Sequence, residues 1–223
     1  MIRYALRAAV RGVGVVGLTA VEATALSVWL GLALDAPSVS VAAGIGVAAL
    51  VAGLLVEGLL RHLTVNGWRH EIPAPSVAGV ALVETGLWLG WFSTVRGTDD
   101  PASAAVVGLA LAVGLVPVHA ATDDLLQGRN PVASLVGRTP VGLAVLEAAG
   151  ATAWFLLVTG SVAVPEWVGA LPFEGFTPGA AVGGAVLVAA LFVQHVLAIR
   201  YALRATRATA TPAWRSSRGV GPE

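Results

Sequence analysis

Six apolar runs, at roughly residues 12–34, 39–60, 76–95, 101–121, 140–160 and 178–199, divide the chain. Each approaches the ~20 residues an α-helix needs to cross the hydrocarbon core of a bilayer. No water reaches backbone groups at that depth, so only helices and closed barrels can span. Strands of a membrane barrel alternate apolar and polar residues, and these runs do not. The expected fold is therefore all-α, a polytopic membrane bundle of six transmembrane helices. At 57% hydrophobic and 12% charged residues the chain has too few polar side chains to clothe a soluble globule.

Charge patterning orients the bundle. With helices alternating in direction, Arg3, Arg7, Arg11, Arg61, Arg69, Arg129, Arg138, Arg200, Arg204, Arg207, Arg215 and Arg218 share one side. Arg96 stands on the other, with Asp35, Asp99, Asp100, Glu166 and Glu174. The positive-inside rule then predicts a multi-pass protein of the cell (inner) membrane with both termini in the cytoplasm. Arginines beside a bilayer meet anionic headgroups, so the lipid accounts for them without a nucleic-acid partner. The arginines at 3, 7 and 11 look like the start of a signal sequence, but the run they precede is long and holds Glu22. It reads as a retained first helix. A single transmembrane domain over 1–208 and a flexible cytoplasmic tail over 209–223 follow, and so few helices are compatible with a homo-oligomer.

Turn and cap chemistry agrees with the helix count. Ser38 or Ser40, Ser76, Asp100 before Pro101, Thr139 before Pro140 and Thr177 before Pro178 are candidate N-caps. Asn66-Gly67 and Gln127-Gly128 read as stops.

One phrase recurs inside these runs: Gly17, Glu22 and Trp29; Gly79, Glu84 and Trp91; Gly142, Glu147 and Trp154. The even-numbered helices share a second pattern, a glycine followed eleven residues later by an ionisable group: Gly46 and Glu57, Gly108 and His119, Gly184 and His195. The unit is a two-helix hairpin used three times, over about 12–67, 76–128 and 140–207, with a longer loop from Ser161 to Thr177 in the last. Three hairpins of one orientation are expected to pack about a pseudo-threefold axis along the membrane normal.

Residues seven apart lie on nearly one helical face, so each odd helix shows its glutamate and tryptophan to the same side. The glycine, offset from the glutamate by about 140°, is placed for close helix contact on another flank. Trp29 and Trp91, near helix ends, read as interfacial anchors. Counting from the helix starts and stops puts Glu22, Glu57, Glu84, His119, Glu147 and His195 in one layer of the cytoplasmic half. Arg61, His62, Asp123, Asp124 and Arg200 form a second ring nearer the cytoplasm, where His62, His70, Asp123 and Asp124 are expected to be solvated.

A charged group in a spanning helix is costly, so six in register call for a common reason. Four carboxylates with two imidazoles suit Zn, Mn, Fe, Co or Ni, whereas Ca or Mg prefer an all-oxygen set. The six residues are thus candidate ligands of a divalent transition metal, and carboxylates in a low-dielectric layer also suit proton coupling. The expected function is a small cation or proton-coupled transporter or channel. The alternatives are a metal-dependent intramembrane enzyme, di-metal or protease-like, and a structural membrane subunit whose carboxylates act as interhelical glue.

Several chemistries are excluded. The chain has no cysteine, hence no disulfide, thiolate metal site or cysteine nucleophile. It has no lysine, hence no Schiff base and no retinal. The Glu-x-x-His pair of carboxylate-bridged di-metal proteins is missing. Glu57-x-x-x-Arg61 and His119-x-x-x-Asp123 resemble two fragments of the CAAX-type intramembrane protease motifs, but Val56 stands where that family's paired glutamate is needed. The family's Phe-x-x-x-His element has no counterpart between them, and the internal repeat explains these positions more economically.

Overall fold

The structure is a computed structural model, and it describes residues 2–37, 40–68, 70–98, 100–131, 141–170, 173 and 175–209. Seven helices are described: α1 (Ile2–Asp35), α2 (Val41–Asn66), α3 (Ala74–Val95), α4 (Pro101–Leu126), α5 (Val141–Val158), α6 (Glu166–Gly169) and α7 (Pro178–Thr209). All except the one-turn α6 are long and apolar enough to cross a membrane. α6 lies in the Ser161 to Thr177 loop. The expected cap at Thr139, the loop carboxylates Asp99 and Glu174, and the tail beyond 209 lie outside the described residues, as do the side chains of Arg3, Arg7, Asp35 and Arg207.

Local chemistry sets most helix ends. Ser40 caps α2 by accepting the Ala43 N–H at 3.1 Å, and Asp100 caps α4 by accepting the N–H groups of Ala102 and Ser103, each at 2.9 Å. The Ser103 hydroxyl donates to the same carboxyl, and with the two amides holds its pKa below the usual carboxylate value. This contribution to stability is present above the ordinary carboxylate range and is lost as pH falls through the lowered pKa. Thr177 accepts the Ala180 N–H at the start of α7. α2 stops at Gly67, whose φ of 78° is open to glycine and whose N–H returns to the Leu63 carbonyl at 2.9 Å. One expectation is corrected: α3 starts at Ala74 after Pro73, not at Ser76, because a proline in its first turn needs no N–H partner there.

Each spanning helix packs on the next, α1 on α2, then α3, α4, α5, α7 and back to α1, while α2 also meets α4 and α7 across the middle. The outside of this ring is apolar, and the interior, mostly apolar too, holds the charged groups. Val13, Leu82, Val106, Leu109 and Val113 are exposed on the outside, while Glu22, Glu57, His119, Glu147 and His195 are buried. Apolar surface outward and charge inward is the arrangement a hydrocarbon solvent selects.

Glycine brings several neighbours close. A Cβ on Gly53 would lie 2.1 Å from the Ala25 Cβ, and one on Gly179 would lie 2.2 Å from the Leu157 carbonyl oxygen. Gly53→Ala therefore overpacks the α1–α2 contact, with an expected cost of about 1–3 kcal/mol, read as a lower unfolding temperature in detergent. The glycines of the recurring phrase behave differently. A Cβ at Gly17, Gly79 or Gly142 would meet nothing within 4 Å, so the expected role in close helix contact does not hold for them.

The tryptophans also differ from expectation. Trp29 and Trp91 are 1% and 4% exposed, and they are interior residues rather than interfacial anchors. With Trp88, Phe92 and Phe155 they form a mostly edge-to-face aromatic cluster, ring centroids 5.3–6.4 Å apart. The reason is rotational: a tryptophan seven residues after a buried glutamate shares its inward face, and that overrides nearness to the helix end. Trp68 and Trp167, both outside the spanning helices, are exposed instead.

Candidate cation site

The six ionisable residues of the sequence pattern form one connected polar group inside the bundle. Glu22 on α1, Glu57 on α2 and His195 on α7 have ligand atoms within 4.8 Å of one another. Glu22, Glu84 on α3 and Glu147 on α5 meet the same limit, so Glu22 belongs to both triads. His119 on α4 joins through its Nε2, 3.2 Å from Glu147 Oε2. Each of the six spanning helices thus contributes one residue.

The two triads differ in their neutralisation. Arg61, one helical turn after Glu57, reaches its Oε1 at 2.5 Å. The arginine is buried in the group itself rather than forming an outer ring. Arg200, expected beside it, is exposed. No arginine pairs with Glu22, Glu84 or Glu147 among the described residues.

His195 is fixed by a neighbour that the sequence reading passed over. The Thr19 hydroxyl donates to the Val15 carbonyl at 3.0 Å and lies 3.2 Å from His195 Nδ1. Its proton being committed, Thr19 accepts from Nδ1–H, which leaves Nε2 facing Glu22 Oε2 at 3.2 Å and Glu57 Oε1 at 3.3 Å. Such an outer hydrogen bond would orient the imidazole were it to ligate a metal. Thr19→Val is expected to weaken cation affinity about tenfold without unfolding the protein, as read by equilibrium titration.

Gln194, adjacent in sequence, donates from Nε2 to Glu147 Oε2 at 3.3 Å and was likewise missed. A neutral amide or hydroxyl adds little to a hydropathy profile. The only available signal was a glutamine interrupting an apolar run beside a buried histidine.

Among the described residues, Glu147 Oε1, Gln194 Oε1 and Arg61 Nε are buried with no hydrogen-bond partner, and Glu22 Oε2 and His119 Nε2 have only their 3.2 Å ion-pair contacts. Buried polar groups are normally satisfied, and leaving one unsatisfied costs ~1–3 kcal/mol. Of these, Glu147 Oε1 belongs to the Glu22, Glu84 and Glu147 triad, where a cation would take up its free lone pairs.

The outer residues separate into two kinds. His70 is exposed and Asp123 half-buried, but His62 and Asp124 are buried, against expectation. Asp124 is held by the Arg129 guanidinium, whose Nε donates to Oδ1 at 2.8 Å. Comparison with protein families, characterised proteins and solved structures returns no match, so the chemistry of the site stands on its own residues.

Proposed function

We propose that the protein is a small membrane transporter for a divalent transition-metal cation. In this reading Glu22, Glu84 and Glu147 supply the oxygen ligands, and His119 and His195 flank them. Glu57 is the internal counter-ion of Arg61. Three hairpins about a pseudo-threefold axis, both termini in the cytoplasm and a single transmembrane domain complete the proposal.

One observation carries it: a carboxylate triad of buried Glu22 and Glu147 with half-buried Glu84, in which Glu147 Oε1 accepts no hydrogen bond and no arginine pairs with any of the three among the described residues. The charge ledger agrees: with all four carboxylates ionised, one guanidinium and two protonated imidazoles leave the group one positive charge short. Isolated charge in low dielectric is costly, and a bound cation relieves it. Mixed oxygen and nitrogen donors favour Mn, Fe, Co, Ni or Zn over Ca or Mg.

The test is flux of Co²⁺ into vesicles loaded with calcein, whose fluorescence Co²⁺ quenches. Quenching that is lost in Glu84→Gln supports transport. Tight Co²⁺ retention without flux would instead favour a metalloenzyme, and neither binding nor flux would leave the carboxylates as interhelical glue.

A further inference from the structure

Two cavities lie in line between the polar group and the face of the bundle where α2 and α4 end and α3 begins. The outer one, about 690 Å³, is a vestibule bordered by Asn66, His70, Glu71 and Arg129. The inner one, about 30 Å³, offers room for one or two waters and is bordered by Glu57, Glu84 and Thr122. His62, Leu125 and Leu126 border both. His62 is 5% exposed, and its Nε2 has no hydrogen-bond partner among the described residues.

The opposite side is built differently. Seven residues beyond Glu22 and Glu84, about 10 Å along each helix, stand Trp29 and Trp91. With Trp88, Phe92 and Phe155 they fill the interior there. A groove of about 510 Å³ on that face reaches Trp29 and Phe92 but no carboxylate.

We infer that a small cation reaches the carboxylates from the α2–α3 face, passing a constriction of His62, Leu125 and Leu126 and meeting Glu57 and Glu84 first. The inference rests on the cation reading for its cargo, but the route itself is a property of the packing. A bare apolar constriction of two leucines resists a hydrated ion. The unpartnered His62 Nε2 supplies one polar contact at the point where water must be shed.

Two measurements test it. In stopped-flow mixing of the full chain with Co²⁺, His62→Phe should slow association at least tenfold while equilibrium affinity stays within about twofold. Leu126→Ala should speed association. Unchanged rates in both variants with normal affinity would overturn the route and leave the cation site intact. Absence of Co²⁺ binding by the unaltered protein would instead remove the site.

The second measurement needs no cargo. The chain has no cysteine, so Thr122→Cys carries a single thiol, placed in the inner cavity. In sealed vesicles of known orientation, Ag⁺ should block it from the α2–α3 side and not from the other, and faster when His62→Ala is added. Equal reaction from both sides, or reaction from the aromatic side alone, would overturn the proposal.

Discussion

On the proposed cation reading, Glu147→Gln is expected to lower Co²⁺ affinity on the order of 100-fold or more. Glu147 is fully buried, and its Oε2 lies 3.2 Å from His119 and 3.3 Å from Gln194, leaving Oε1 free to face the triad. Glutamine keeps the shape but removes the charge and puts an amide N–H₂ at one of two oxygen positions. Outer hydrogen-bond partners of a metal ligand are worth ~10- to 100-fold in affinity, so a ligand itself belongs at or above that range. Glu84→Gln should act in the same direction. Glu84 is half-buried and makes no hydrogen bond among the described residues, so its loss disturbs the fold least. Equilibrium titration followed by visible absorption reads both variants, and thermal unfolding in detergent confirms that each remains folded. Affinity unchanged in both would mean the triad does not hold the cation.

The second large effect falls on stability. Arg61→Leu leaves Glu57, itself buried, without its guanidinium, and breaking one side of a buried ion pair costs roughly 3–5 kcal/mol. His195 still lies 3.3 Å from Glu57 Oε1, but it is shared with Glu22 and cannot replace a fixed positive charge. Combining Arg61→Leu with Glu57→Leu removes both charges and should recover most of the loss, since an apolar pair of similar volume is often as stable. The measurement is the unfolding temperature of the two single variants and the double one. If Arg61→Leu alone were neutral, the guanidinium would not be the internal counter-ion assigned to it.

What sequence reasoning could reach follows from the price of charge in lipid. Glu22, Glu57, Glu84, His119, Glu147 and His195 stand out because nothing else in their runs is ionisable, and helix counting alone brings them to one depth. Their mutual distances needed the rotational setting of all six helices, which a depth count does not contain. Trp29 and Trp91 show the same limit: distance from the helix end pointed to the interface, and azimuth put them inside. Arg61 was visible as a neighbour of Glu57 at helical spacing, but a long side chain can extend along the helix in either direction, and here it turns into the group. Thr19 and Gln194 were not legible, because neutral polar side chains are common in spanning helices and only contact with His195 and Glu147 distinguishes them. The glycines of the recurring phrase mark a regularity of the sequence whose physical cause the packing does not supply.

The site and the proposed route divide the interior into a polar half, which faces the α2–α3 side across His62, Leu125 and Leu126, and an aromatic half beyond it. In the proposed reading, transport would require the aromatic half to yield; it holds the buried indole N–H groups of Trp88 and Trp91, which have no hydrogen-bond partner among the described residues. Their rings pack edge to face at 5.6 Å, an arrangement worth ~0.5–1.5 kcal/mol beyond burial.

The most direct test of the central claim is titration of the purified chain with Co²⁺, followed by visible absorption, beside a variant carrying Glu22→Gln, Glu84→Gln and Glu147→Gln together. Saturation at one Co²⁺ per chain, with ligand-field bands that vanish in the variant, is the predicted result. No stoichiometric uptake by the unaltered protein, or the same bands in both, would contradict it.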